Sequence, residues 1–196
     1  MKIATLLCVV LAAAGVATPA QASTVGQAPA GAATFAVQAK AAGYSPKQAS
    51  ELQAQVDTYL HQFGGRQVAI NKIVFDGGEV LLPLPGEARA RELGTSPTAA
   101  QKVVPASSSA GLHCPYQYLC IFHDRNYTGP EVKMYKCGPA GEVRVIWAGI
   151  GSYADNETPY TYAHFHDGHG TDYEVATGGD VNPALNWWYV HDVWAC

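Results

Sequence analysis

Cys114-Pro-Tyr-Gln-Tyr-Leu-Cys-Ile-Phe-His-Asp-Arg-Asn-Tyr-Thr-Gly129 is the stretch on which the reading of this chain turns. Residues 118–122 are apolar and aromatic and read as a strand in need of a core. A polar run, His123-Asp-Arg-Asn126, then Tyr127 and Gly129, read as a tight turn. A second alternation follows, with Val132, Met134 and Lys136 on one face and Lys133, Tyr135 and Cys137 on the other. Strand, polar turn and strand make a β-hairpin. Gly129 stands where a positive φ is expected, which a side chain with a Cβ would resist.

The pattern recurs. Phe122-His-Asp124 returns as Phe165-His-Asp167, 43 positions on, and Trp147 returns as Trp188, 41 positions on. A period of about 40 residues with strand-like content suits one Greek key per repeat. Two keys packed face to face, with aromatics between the sheets, make residues 113–196 an all-β sandwich. Of the 20 aromatic residues, 15 lie beyond His113, which places the main core there.

Phe122-His-Asp-Arg-Asn-Tyr-Thr-Gly129 resembles the folded-hairpin signature of βγ-crystallin Greek keys. The opening Cys-Pro-x-x-Tyr-Leu-Cys is similar to that of the secreted actinobacterial metalloproteinase-inhibitor family, which shares the fold. The resemblance runs from about residue 113 to the end. It implies structural roles for Phe122, Tyr127, Gly129, Trp147, Ser152, Phe165 and Trp188, with Ser152 tying down the first folded hairpin. The second key has Val193 at the serine's place and a shorter turn, so it is expected to be the more irregular. The implied activity is inhibition of metalloproteases of the thermolysin class, which favour an apolar side chain just after the scissile bond. An inhibitor needs a stiff protruding loop and no catalytic group. Two connections are candidates: Tyr153-Ala-Asp-Asn-Glu-Thr-Pro-Tyr160, in particular Asn156, Glu157, Thr158, Pro159 and Tyr160, and the glycine-rich 178–183. Because a fold hosts unrelated activities, the resemblance speaks more strongly for fold than for function.

Working outward, Lys2 and the uncharged apolar run 3–17, ended by Ala20-Gln-Ala22, read as a secretory signal peptide over residues 1–22. No later stretch has the roughly 18–20 apolar residues of a membrane helix, so a secreted, extracellular protein without membrane attachment is expected. Residues 23–44 are poor in large apolar side chains and read as a flexible arm. A leader module over 45–94 follows. Ser45-Pro46-Lys-Gln48 carries a capping box with Pro at the first helical position. Ala49, Leu52, Val56, Tyr59, Leu60 and Phe63 mark one helical face, ended by Gly64-Gly65. The runs 66–75 and 79–84, around Asp76-Gly-Gly78, read as a hairpin. The leader is thus a small α+β piece, joined by a Ser/Thr/Ala/Pro linker at 95–112.

Removal of the signal peptide leaves Cys114, Cys120, Cys137 and Cys196. Export favours two disulfides over thiols or a zinc site. Four cysteines allow three pairings and the sequence does not choose; Cys114 with Cys120 and Cys137 with Cys196 is the working expectation. Residues 23–112 carry seven Lys/Arg and six Asp/Glu, and residues 113–196 carry four and ten. The acidic domain repels phosphate, which argues against nucleic acid. The expected partner is a secreted protease, and the chain is expected to be a monomer.

The remaining chemistry is thin. The calcium places of a crystallin key hold Trp147-Ala148 and Gly151-Ser152 here, so the usual paired acids and amides are missing; calcium stays open only through acidic loops such as Asp155-Asn-Glu157. No cofactor is therefore expected. His164-Phe-His166-x-x-His169 sets two imidazoles on one strand face and a third across a turn, a pattern that zinc or copper accepts. Surface histidines flanking a hairpin are the commoner outcome, and no metal is assigned. No Gly-x-Ser-x-Gly elbow and no His-Glu-x-x-His helix is present, so an enzyme is not expected. The alternative function is a carbohydrate- or protein-binding module using Trp187, Trp188, Tyr189 and Trp194.

Overall fold

The computed structural model describes residues 30–93 and 114–196. The expected signal peptide (1–22) and linker (95–112), and residues 23–29 of the expected arm, lie outside the described residues.

The rest of that arm is a correction. Residues 30–41 form helix α1 (Ala30–Ala41) where a flexible segment was expected. Alanine has the highest helix propensity, and a helix this short needs a surface to lie on. Helix α2 (Pro46–Phe63) supplies it. Ala39 is buried and Phe35 packs on the core, while the Gln38 side chain accepts a hydrogen bond from Ile70 N at 3.1 Å. Ser45 and Gln48 form the capping box at the start of α2, and Gly64 N donates to Leu60 O at its end. Leu52, Val56 and Tyr59 are its buried face.

The leader's expected hairpin around Asp76-Gly-Gly78 is present, but its first run, 66–75, is two strands and not one. The whole is a three-stranded antiparallel meander: β1 (Arg66–Ala69), β2 (Lys72–Phe75) and β3 (Gly78–Leu81). A turn at Ile70-Asn71 divides the apolar run 66–75. Asn71 is fully buried there, and its amide donates to Leu82 O at 2.7 Å and Arg91 O at 2.8 Å. A buried polar side chain with two backbone partners holds a turn that apolar periodicity hides.

Eight strands follow residue 114: β4 (Leu119–Asp124), β5 (Thr128–Met134), β6 (Val143–Arg144), β7 (Ile150–Asp155), β8 (Tyr162–His166), β9 (Asp172–Thr177), β10 (Val181–Asn186) and β11 (Asp192–Trp194). The strands of the described residues form two antiparallel sheets, a large one in the order β1-β2-β3-β5-β4-β7-β10 and a small one in the order β6-β11-β8-β9. Each half of residues 114–196 thus gives its third strand to the other half's sheet: β6 pairs with β11, and β10 with β7. Leu119, Ile121, Val132 and Tyr153 from the large sheet and Ala163, Phe165 and Val193 from the small one fill a single core. Tyr153 and Phe165 meet at 4.8 Å between ring centroids.

The leader belongs to that core. β3 pairs with β5 in full register, from Gly78 opposite Met134 to Leu81 opposite Glu131. Val56 and Tyr59 of α2 belong to the same cluster as Trp147 and Val132. Trp147 Nε1 donates to Tyr59 Oη at 3.2 Å, and Gln62 donates to Arg144 O at 3.0 Å.

Candidate functional site

The hairpin β4–β5 folds over itself as its residues require. Asn126 and Tyr127 have positive φ (56° and 60°), and so does Gly129 (76°). A Cβ on Gly129 would overlap the Asp124 carboxylate. Ser152, fully buried on β7, locks this turn: its hydroxyl donates to Asp124 O at 2.6 Å and accepts from Tyr127 N at 2.8 Å. Phe122 and Tyr127 meet edge to face at 5.7 Å. In the second half Phe165 is fully buried, Val193 stands opposite it as Ser152 stands opposite Phe122, and a carboxylate within the turn itself does the holding. Asp167 accepts from His169 N at 2.8 Å and Thr171 N at 3.0 Å, and those backbone donors hold its carboxyl below its usual range.

Trp188 is a correction. It is 71 % exposed, and Trp187 is the buried counterpart of Trp147. The two indoles meet at 5.2 Å, and Trp187 Nε1 donates to Phe122 O at 3.0 Å. Gly151 makes room, since a Cβ there would overlap the Trp187 indole. Leu185 is buried on β10, and two residues on from it Trp187 is buried too, but the structure and not the sequence shows which face Leu185 takes.

The disulfides are Cys114–Cys120 and Cys137–Cys196. The first closes a small loop at the entry to β4, and that loop holds the connection from β7 to β8. Asn156 O accepts from Gln117 N at 2.9 Å, Asn156 N donates to Tyr118 O at 2.9 Å, and its side chain donates to Cys114 O at 2.8 Å. From the other side, the glycine-rich stretch braces the same connection. Asp155 N donates to Asp180 O at 2.9 Å, Gly179 N to Asp155 O at 2.8 Å and Gly178 N to Thr161 O at 3.1 Å. A Cβ on Gly178 would overlap the carbonyls of Glu157 and Thr158. The two stretches singled out as candidate loops are therefore neighbours, and one supports the other.

Within the connection, Glu157 is buried and Thr158 half-buried, whereas Pro159 and Tyr160 are exposed. Thr161 N donates to Thr158 O at 3.0 Å, and the two threonine hydroxyls are 2.6 Å apart. Thr158-Pro159-Tyr160-Thr161 is thus a hydrogen-bonded turn with Pro at its second position and Tyr160, φ 69°, at its third. That third position normally takes glycine in a turn of this kind. Tyr160 is 85 % exposed. Below the turn, burial pushes the Asp155 carboxyl up to about 7, with Glu157 and Asp180 adding to the rise. Burial pushes Glu157 up as well.

The aromatic group proposed for a binding surface divides. Trp187 is in the core; Trp188 and Tyr189 are exposed. Tyr189 lies 5.3 Å from Tyr173. Trp194 is half-buried, and its Nε1 donates to Glu142 at 3.0 Å. Among the described residues no helix is long and apolar enough to cross a membrane.

Compared with known proteins, the chain matches no family model, no curated protein and no solved structure.

Proposed function

We propose that the protein is an exported, monomeric peptidase inhibitor that presents the turn Thr158-Pro159-Tyr160-Thr161 to a metalloprotease of the thermolysin class. The observation that carries this reading is Tyr160. A bulky side chain in a positive-φ conformation costs of order 1–3 kcal/mol and persists only where its surroundings enforce it. Here the surroundings are a disulfide loop on one side and a glycine turn on the other, and the ring they hold out is 85 % exposed. A loop ordered beforehand loses little entropy on docking and yields poorly to the backbone changes that cleavage needs. The Tyr160 ring supplies the apolar group that such enzymes take just after the bond presented to them. Inhibition of this kind asks for no catalytic group and no cofactor, and the protein is read as a non-enzyme.

The exchange of third strands between the two halves, the Ser152 lock and the Trp147–Trp187 pair support the further reading of residues 114–196 as two crystallin-like Greek keys. The two disulfides support export.

The test is titration of the whole secreted chain into thermolysin while peptide hydrolysis is followed. The expected result is stoichiometric loss of activity at micromolar protein or below. Tyr160→Ala should weaken inhibition by an order of magnitude or more and leave the circular dichroism spectrum unchanged. Activity unchanged at micromolar protein removes this target class. Exposed Trp188 and Tyr189 favour one second reading, a carbohydrate-binding surface. Sedimentation of the protein with insoluble cell-wall glycan, lost in Trp188→Ala, would select it.

A further inference from the structure

The outer face of the small sheet carries a second group of polar side chains. His164 and His166 alternate on β8 and project to the same side, with their rings stacked at 5.8 Å and 9°. Asp172, at the start of the edge strand β9, faces both. Its Oδ1 is 3.0 Å from His164 Nδ1 and 3.3 Å from His166 Nε2. One donor atom from each of the three residues lies within 4.8 Å of the other two.

A local irregularity creates this convergence. Phe165 pairs with Glu174, but His166 pairs with Asp172, so the register skips Tyr173. Without the skip, regular pairing would set Tyr173 opposite His166. A bulge re-aims a side chain, and this one brings a carboxylate to two imidazoles. Trp194, from β11, closes the inner side, 4.7 Å from the His166 ring and 6.4 Å from the His164 ring. His166 is largely sheltered, while His164 and Asp172 keep a third or more of their side chains open to water.

We infer that His164, His166 and Asp172 form a binding site for one divalent transition-metal ion, of which zinc is the representative. Zinc–nitrogen and zinc–oxygen bonds of about 2.1 Å set tetrahedral ligands roughly 3.4 Å apart. The two Asp172–imidazole separations, 3.0 and 3.3 Å, are already close to that spacing, and all three donor atoms lie within 4.8 Å of one another. Two neutral imidazoles and one carboxylate suit zinc, copper(II) and nickel(II) and leave at least one coordination position open. Hard calcium is a poor match for two nitrogen donors. Aspartate takes the third place that spacing alone gave to His169. His169 sits on the turn after β8, where its backbone N is engaged by Asp167. The inference stands apart from the peptidase reading and does not need it.

The test uses the untagged whole chain and zinc chloride in isothermal titration. One ion per chain with a dissociation constant in the micromolar range or below is expected. His166→Gln and Asp172→Asn should each weaken uptake by an order of magnitude or more, while His123→Gln leaves it unchanged. Copper(II) should quench the Trp194 fraction of the fluorescence, a loss absent from Trp194→Phe, and its paramagnetic resonance should show coupling to two nitrogens. Circular dichroism checks that each variant is folded. No uptake at micromolar zinc overturns the inference, as does uptake that survives His166→Gln and Asp172→Asn intact.

Discussion

Glu131 shows how far a single side chain's surroundings govern its chemistry. It is 3 % exposed on β5, and its Oε1 has no hydrogen-bond partner among the described residues. Burial pushes its carboxyl up to about 7; Lys133, 3.8 Å away, pulls it back only in part. A folded-state value above the ordinary 4.5 means the folded protein holds this proton more tightly than the unfolded chain. Its contribution to stability is therefore complete below about 4.5 and is lost as pH rises through about 7. Glu131→Gln should accordingly be more stable than the parent at about pH 8, with the difference fading by about pH 5. Urea denaturation at the two pH values checks this, and a difference that grows on acidification would contradict it. The alternation Glu131-Val132-Lys133-Met134 marks Glu131 as pointing away from the core, and in sequence that reads as solvent. It is buried because the leader comes to lie there: Leu81 pairs with Glu131, and Gly129 N donates to Ala88 O at 2.7 Å. Ser152, by contrast, was legible only through the resemblance to crystallin hairpins, which implied a serine at that place; its hydroxyl does hold the turn through Asp124 O and Tyr127 N.

Among the elements, β3 has the largest consequence. Without it β5 would be the open edge of its sheet, with a row of unpaired backbone groups along a strand whose Val132 and Met134 are fully buried. Such an edge invites pairing with another chain. A chain beginning at Cys114 should therefore self-associate or lose much of its stability, and adding back residues 30–93 as a separate polypeptide should reverse this. Analytical ultracentrifugation with a thermal melt would decide; a monomeric fragment melting with the whole chain would show that the leader only decorates the sheet. Helix α2 was legible because its cap, its apolar spacing and its terminal glycines all lie within one stretch of sequence. The β3–β5 pairing was not, because two strands that meet across some fifty residues leave no mark on either beyond a general liking for β structure. Helix α1 was hidden for a related reason: its composition lacks the apolar stripe that announces a helix, and it is α2 that gives it a surface.

The whole molecule is held by cross-links of unequal reach. Cys114–Cys120 spans 6 residues and Cys137–Cys196 spans 59. By loop-closure entropy the first stabilises by about 2 kcal/mol and the second by about 4 kcal/mol. Cys137→Ser with Cys196→Ser should thus cost more global stability than Cys114→Ser with Cys120→Ser. The latter pair should cost more inhibition, because it frees the loop that anchors Asn156. Denaturation midpoints beside thermolysin titrations would measure both, and a reversed order in either would contradict this account. The sequence by itself determined the β-rich body after residue 114, its repeat, the folded hairpin and the helix of the leader. Those features depend on periodicity, turn chemistry and caps, which act over a few residues. Tertiary structure alone decided that the leader completes the large sheet, that Trp187 and not Trp188 enters the core, that the two candidate loops support each other, and that Asp172 reaches the histidines. Each of these depends on which surfaces meet and in what register, and a shift of one residue in a strand turns every side chain to the opposite face.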